Sequence, residues 1–199
     1  MSKQFEDWIT KDLSKSGLTP DDFIIEPLRY ESELLNRLGF KFIENERIFN
    51  IGGYWIRYPN VPGYYRLKLR EKIGDVKYLS PKDGGNHAYI LPQVQEIAKD
   101  YKPDRALFFT EGEKKAVKAT LEGFPTIGLS GVWNFKDSES NFLTELDQIV
   151  WTDRTVYIVF DSDITQKHSV KHAEIRLAVE ITNRGGIPFS IRLPRRSRQ

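Results

Sequence analysis

The sequence predicts an α/β protein: a parallel sheet flanked by helices over residues 103–199, preceded by a smaller α+β subdomain with short antiparallel strands over residues 1–102. Two textures carry this expectation. In the second half, short runs that are apolar throughout alternate with helical stretches. Strands of that kind belong to a parallel sheet covered on both faces. From about residue 40 to 91, aromatic and β-branched runs are cut by Gly, Pro and Asn, as short antiparallel strands are. The length agrees, since 199 residues is one domain of the usual ~150 plus a smaller appendage.

The elements follow in order. Residues 3–16 place Phe5, Trp8, Ile9 and Leu13 on one side of an amphipathic helix that Gly17 ends. Thr19-Pro20-Asp21-Asp22 opens a turn, and a second helix over 29–38 is closed by Gly39. Strands are expected at 48–51, 54–58, 63–70, 76–79 and 88–91. A helix over 93–101 stops before Pro103. Then come a strand at 106–110, a helix at 113–122 stopped by Gly123, and a strand at 125–129. A short helix at 141–146, a strand at 156–160, a helix at 169–184 stopped by Gly185-Gly186 and a strand at 188–193 complete the pattern.

Composition excludes several classes. Hydrophobic residues make up 39% and charged residues 29%, so collagen-like and wholly disordered chains are out. No apolar run approaches the ~18 residues of a membrane span. Met1 to Gly17 is polar and mixed in charge, unlike a secretion signal, so a cytoplasmic protein without membrane contact is expected. There is no Cys, which excludes disulfides, thiolate zinc sites and a Cys nucleophile and agrees with a reducing compartment.

Charge is unevenly spread. The net value is +2, yet residues 1–47 hold 7 Lys/Arg against 10 Asp/Glu. Residues 57–82 carry seven basic residues (Arg57, Arg66, Lys68, Arg70, Lys72, Lys77, Lys82) against Glu71 and Asp75. That field suits a polyanion, and equally suits a solvated strand face.

In an open parallel sheet, ligands bind beyond the carboxyl ends of the strands. Two acidic features sit at such ends: Glu111-Gly112 after the 106–110 strand, and Asp161-Ser162-Asp163 after the 156–160 strand. Were the two strands neighbours, three carboxylates would converge. Their mutual repulsion calls for a cation, and hard divalent ions such as Mg²⁺ or Mn²⁺ take oxygen ligands. The Asp-Ser-Asp alternation turns Ser162 away and lets Asp161 and Asp163 approach one ion. Gly112 allows the sharp turn that aims Glu111 at the cleft. The competing interpretation makes all three surface acids that cap the following helices.

These residues resemble the Toprim domain shared by topoisomerases, DnaG-type primases and some nucleases. Phe109-Thr110-Glu111-Gly112-Glu113-Lys114-Lys115-Ala116 is similar to its Glu-Gly strand–helix junction. Gly128-Leu129-Ser130-Gly131-Val132 is similar to the next strand and glycine loop, and Val159-Phe160-Asp161-Ser162-Asp163 to its Phe-Asp-x-Asp motif. The likeness covers about residues 104–194 and is nearest to plasmid, phage and mobile-element primase–helicase proteins. Upstream, Gly63 to Arg70, Lys77-Tyr78-Leu79-Ser80-Pro81 and Ala88 to Pro92 resemble the basic subdomain that precedes Toprim in those primases.

The resemblance implies a Toprim-like parallel sheet and a DNA primase that makes primers on single-stranded DNA from nucleoside triphosphates. Glu111, Asp161 and Asp163 would be the catalytic, metal-holding residues for Mg²⁺ or Mn²⁺. Arg66, Lys68, Arg70 and Lys77 would contact template or triphosphate, with Lys114 and Lys115 as further phosphate contacts. A replicative helicase, in the same or another chain, is an implied partner. The alternatives are a Toprim-family metal-dependent nuclease and a non-catalytic nucleic-acid-binding module. Three features depart from the pattern. With no Cys and only His87, His168 and His172, there is no zinc module. Lys115 stands where relatives often carry an acid. Pro194 to Gln199 is basic where a second acidic cluster usually follows.

Overall fold

The computed structural model describes residues 3–39, 52–101, 105–160 and 168–194. The strand expected at 48–51 lies outside these residues. The chain divides into two compact units, Met1–Gly85 and Asn86–Gln199.

The first unit has helices α1 (Lys3–Ser14) and α2 (Glu31–Leu38) and strands β1 (Ile25–Pro27), β2 (Gly53–Arg57), β3 (Tyr65–Ile73) and β4 (Val76–Leu79). The strands form an antiparallel sheet in the order β1-β2-β3-β4. Alternation along β3 sends Leu67 and Leu69 to one side, where they pack with Leu34, Leu38 and Trp55. Helix α2 is held at both ends. Glu33 accepts the backbone N–H groups of Arg29 and Tyr30, each at 3.0 Å. At the other end, Gly39 at φ 70 turns the chain and donates its N–H to Leu35. Gly53 sits so close to β3 that a Cβ there would lie 2.4 Å from the Lys68 carbonyl oxygen.

The second unit is mixed α/β, with helices α3 (Pro92–Lys99), α4 (Glu113–Leu121), α5 (Thr144–Asp147) and α6 (His168–Asn183). Its strands are β5 (Ala88–Tyr89), β6 (Leu107–Glu111), β7 (Thr126–Leu129), β8 (Thr155–Val159) and β9 (Ile187–Ser190), in the order β5-β7-β6-β8-β9. β7, β6, β8 and β9 run parallel; β5 pairs antiparallel with β7. The expected all-parallel sheet is therefore a mixed one. The strand near 88, read from sequence with the first region, is an edge strand of the second sheet, and the compact units part at Gly85–Asn86 instead of at 102–103. A two-residue strand carries no local mark of the sheet it will join.

Alternation and register put α4 and α6 on opposite faces. A Cβ on Gly128 would lie 3.0 Å from the Ala116 methyl and 3.2 Å from the Gly112 carbonyl oxygen, so α4 rests directly on β7. On the other face, Glu174 of α6 accepts Ser190 and both terminal nitrogens of Arg192, the latter at 2.8 Å each. The core between α6 and the sheet includes Phe109, Ile158, Leu177 and Ile181, all fully buried. At the amino end of β8, buried Arg154 donates to the carbonyls of Val150 (2.7 Å), Arg105 (2.9 Å) and Asp100.

Candidate active site

β6 and β8 are adjacent and parallel, with Thr110 level with Val159. The Thr110 hydroxyl donates to the Val159 carbonyl at 3.0 Å, fastening the two strands at their carboxyl ends. Glu111 is the next residue of β6 and is half-buried. On its other side it is level with Leu129, whose carbonyl accepts the Gly112 N–H at 2.7 Å. Gly112 has φ 95, a conformation that suits glycine, and α4 begins at the following residue. On β8, Val159 is followed by buried Phe160, and then by Asp161 in the chain. Asp161 and Asp163 themselves lie outside the described residues. The strands that carry the three acids are thus neighbours. Among the described residues there is no group of three or more His, Asp or Glu side chains placed to hold a metal.

Lys114 and Lys115 occupy the first turn of α4, half-buried and exposed respectively. Glu113, between Gly112 and Lys114, is 2% exposed and was not singled out from sequence. A first-turn glutamate reads as solvated; only the contact of α4 with β7 buries it. Tyr89 on β5 feels it: burial pushes the phenol well above its usual range, and the charge of Glu113 adds to the rise.

The basic residues are described within their own unit. Arg66, Lys68 and Arg70 alternate with Leu67 and Leu69, so all three share the β3 face turned away from the Trp55 core. Lys68 is directly opposite Tyr78 of β4. The Arg66 guanidinium stands 5.1 Å and the Lys68 ammonium 5.3 Å from the centre of the Tyr78 ring. Arg66 is buried and donates Nε to the Ser80 hydroxyl at 3.1 Å. Arg70 is exposed. Lys77 is exposed too, but alternation turns it to the opposite face of β4 from Tyr78. The structure thus gathers two of the four predicted phosphate contacts on one ring, adds Arg70 on the same face, and separates Lys77.

A further group sits at the same edge of the second sheet as Glu111. The His87 Nδ1 lies 3.1 Å from Glu145 Oε1, and that oxygen also accepts the Ala88 N–H at 2.9 Å. Burial raises the pKa of Glu145, but the hydrogen bonds from His87 and Ala88 outweigh it and hold the carboxyl below its ordinary value. In the loop after β7, Asn134 donates its amide to Ser130 Oγ at 2.8 Å and its backbone N–H to Gly131 at 2.9 Å. Nothing in the sequence pattern linked His87 to a carboxylate 58 positions away.

Residues 96–198 match the family model of a domain of unknown function, DUF3854. The chain belongs to the DUF3854 family. The matched span runs from within α3 through the carboxyl edge that carries Glu111, so the family region includes the candidate site. Searches of curated proteins and of solved structures gave no match.

Proposed function

We propose that this DUF3854 protein is a Toprim-like, DnaG-type primase core that transfers nucleotides to a growing primer on single-stranded DNA. The observation that carries the proposal is the parallel adjacency of β6 and β8, with Thr110 level with Val159. That adjacency brings the Glu111 position and the start of Asp161-Ser162-Asp163 to one edge, where open parallel sheets bind ligands. A donor set of carboxylate oxygens fits a hard divalent cation. Glu111, Asp161 and Asp163 would hold Mg²⁺ or Mn²⁺. When bound, the ion neutralises phosphate charge and lowers the pKa of the attacking hydroxyl.

The chain's own groups supply the rest. Glu111, half-buried at a strand end, orients one side of the site or accepts the proton of the primer 3′-hydroxyl. Gly112 brings the backbone close, and Lys114 and Lys115 add positive charge in the turn that follows. Arg66 and Lys68, held over Tyr78, and Arg70 on the same strand face, favour phosphate contact. This basic strand favours primer synthesis over simple hydrolysis.

The test is primer synthesis from ribonucleotides on single-stranded DNA with Mg²⁺ or Mn²⁺, run beside a nuclease assay on the same DNA. Primers should form, and Glu111→Gln and Asp161→Asn should each lower the rate by ~10²-fold or more, the scale of losing one preorganised charge-stabilising group. Metal-dependent cleavage without primers would establish the nuclease alternative. Full activity in Asp161→Asn would remove the catalytic assignment and leave a nucleic-acid-binding module.

A further inference from the structure

The carboxyl edge of the second sheet extends past Glu111 to β7 and β5. Because β5 runs antiparallel to the rest, its amino end lies at that edge. Ala88 is level with Leu129 and Tyr89 with Gly128, so the register carried one residue further sets His87 opposite Ser130. His87 is therefore at the ligand side of the sheet, with a quarter of its side chain exposed. Glu145 orients it by engaging Nδ1, and the Ala88 N–H holds that carboxylate in turn. An imidazole fixed by a carboxylate on one nitrogen presents the other in a set direction.

The loop after β7 adds an aromatic surface. Trp133 is 45% exposed, while Trp55 and Trp151 are buried. Its ring stacks on fully buried Phe135, with centroids 6.4 Å apart and 23° between planes. The Gly131–Asn134 turn and the Asn134–Ser130 hydrogen bond fix the backbone on either side. A half-exposed indole backed by a rigid core is a platform for a flat heterocycle.

Distance decides what His87 does. Neighbouring strands lie about 4.8 Å apart, so two spacings put β5 about 10 Å from β6 and three put it about 14 Å from β8. The imidazole is too remote to exchange a proton at the end of β8. It is well placed for a part of the ligand that extends away from the reacting atoms.

We infer that His87, positioned by Glu145, and Trp133 form a subsite for one nucleotide unit, the imidazole meeting its phosphate and the indole its base. For its ligand class the subsite rests on the nucleotidyl-transfer proposal above. The nucleotide unit is either an incoming triphosphate or a residue of the single strand, and the two probes below separate them.

The full chain is titrated with ATP and Mg²⁺ by calorimetry, and with a fluorescent oligothymidylate by anisotropy. His87→Gln and Trp133→Ala should each weaken one of these probes by ~10-fold, the size of one charge-assisted contact or one stacked base. Trp133→Phe should retain most of the affinity, and Glu145→Gln, which only positions His87, should lose ~3-fold. Loss confined to ATP assigns the subsite to the triphosphate; loss confined to the oligonucleotide assigns it to the strand. Thermal melts of every variant check folding, and His87→Asn stands in should His87→Gln not fold. Wild-type affinity in both variants overturns the subsite, as does a wild-type chain that binds neither probe. Primer synthesis in His87→Gln and Trp133→Ala with unchanged KM overturns the subsite and leaves the primase proposal standing. Binding that depends on both residues in a wild-type chain that makes no primers leaves the subsite and overturns the primase proposal.

Discussion

The hydroxyl of Thr110 reaches across to the carbonyl of Val159 at 3.0 Å, and it does so at the last paired position before Glu111 on one strand and Phe160-Asp161 on the next. One side chain thus sets the spacing of the two strand ends on which the proposed chemistry depends. Thr110→Val keeps the shape but leaves that carbonyl without its hydroxyl donor. The expected cost is about 1 kcal/mol, read from urea unfolding. Primer synthesis should fall by ~10-fold at a temperature where both proteins are folded, because small misplacements of reacting groups are expensive. Thr110→Ser should restore both.

Lys68 and Arg66 test the polyanion side. Lys68→Ala removes a partly exposed cation opposite Tyr78. Affinity for single-stranded DNA should drop, and the slope of log K against log salt should become shallower by ~0.7 for each phosphate no longer neutralised. An unchanged slope would mean that the β3 face does not meet the backbone. Arg66→Ala should also cost stability, because Arg66 is buried and bonded to Ser80.

Gly53→Ala addresses the first unit alone. The new methyl would stand 2.4 Å from the Lys68 carbonyl oxygen, and that oxygen is backbone. The β2–β3 ladder must shift to admit it. Overpacking of this kind costs ~1–3 kcal/mol. The loss should appear in urea unfolding, with hydrogen-exchange protection falling first in β2 and β3.

Arg154→Met removes the buried guanidinium that satisfies the carbonyls of Val150, Arg105 and Asp100. Those oxygens would remain buried without it, and a loss of about 3 kcal/mol is expected. Arg154 stands at the amino end of β8, away from the carboxyl edge. Mg²⁺ binding measured below the unfolding transition should therefore be unchanged.

Glu145 predicts a pH effect of definite sign. Its folded pKa lies below the ordinary 4.5 because the hydrogen bonds from His87 and Ala88 outweigh burial. A depressed carboxyl contributes stability that is complete above the ordinary value and is lost as pH falls through the folded one. Urea stability should accordingly decline below about pH 4.5 in the wild type. That acid slope should be shallower in Glu145→Gln.

Much of the architecture was legible residue by residue. The strand at 76–79 was found at its observed bounds, and β6, α4, β7, β8 and α6 within a residue at each end, because continuous apolar runs and glycine stops are local signals. β1 was missed. Ile25–Pro27 is three residues ending in proline, and it becomes a strand only by pairing with Tyr54–Ile56. The same applies to the ligand edge. Periodicity placed Glu111 at the end of a strand but could not say which strand lies beside it.

What the sequence determined by itself was where the chain is apolar, where it must turn and where acids follow a strand, since each depends on a few neighbouring residues. The tertiary structure decided the rest: that β6 lies between β7 and β8, that β5 crosses into the second sheet and carries His87 to Glu145, and that α4 buries Glu113. Those outcomes are set by pairing and packing between residues tens of positions apart. The free energy of such contacts belongs to the pair, and neither partner announces the other in its own stretch of chain.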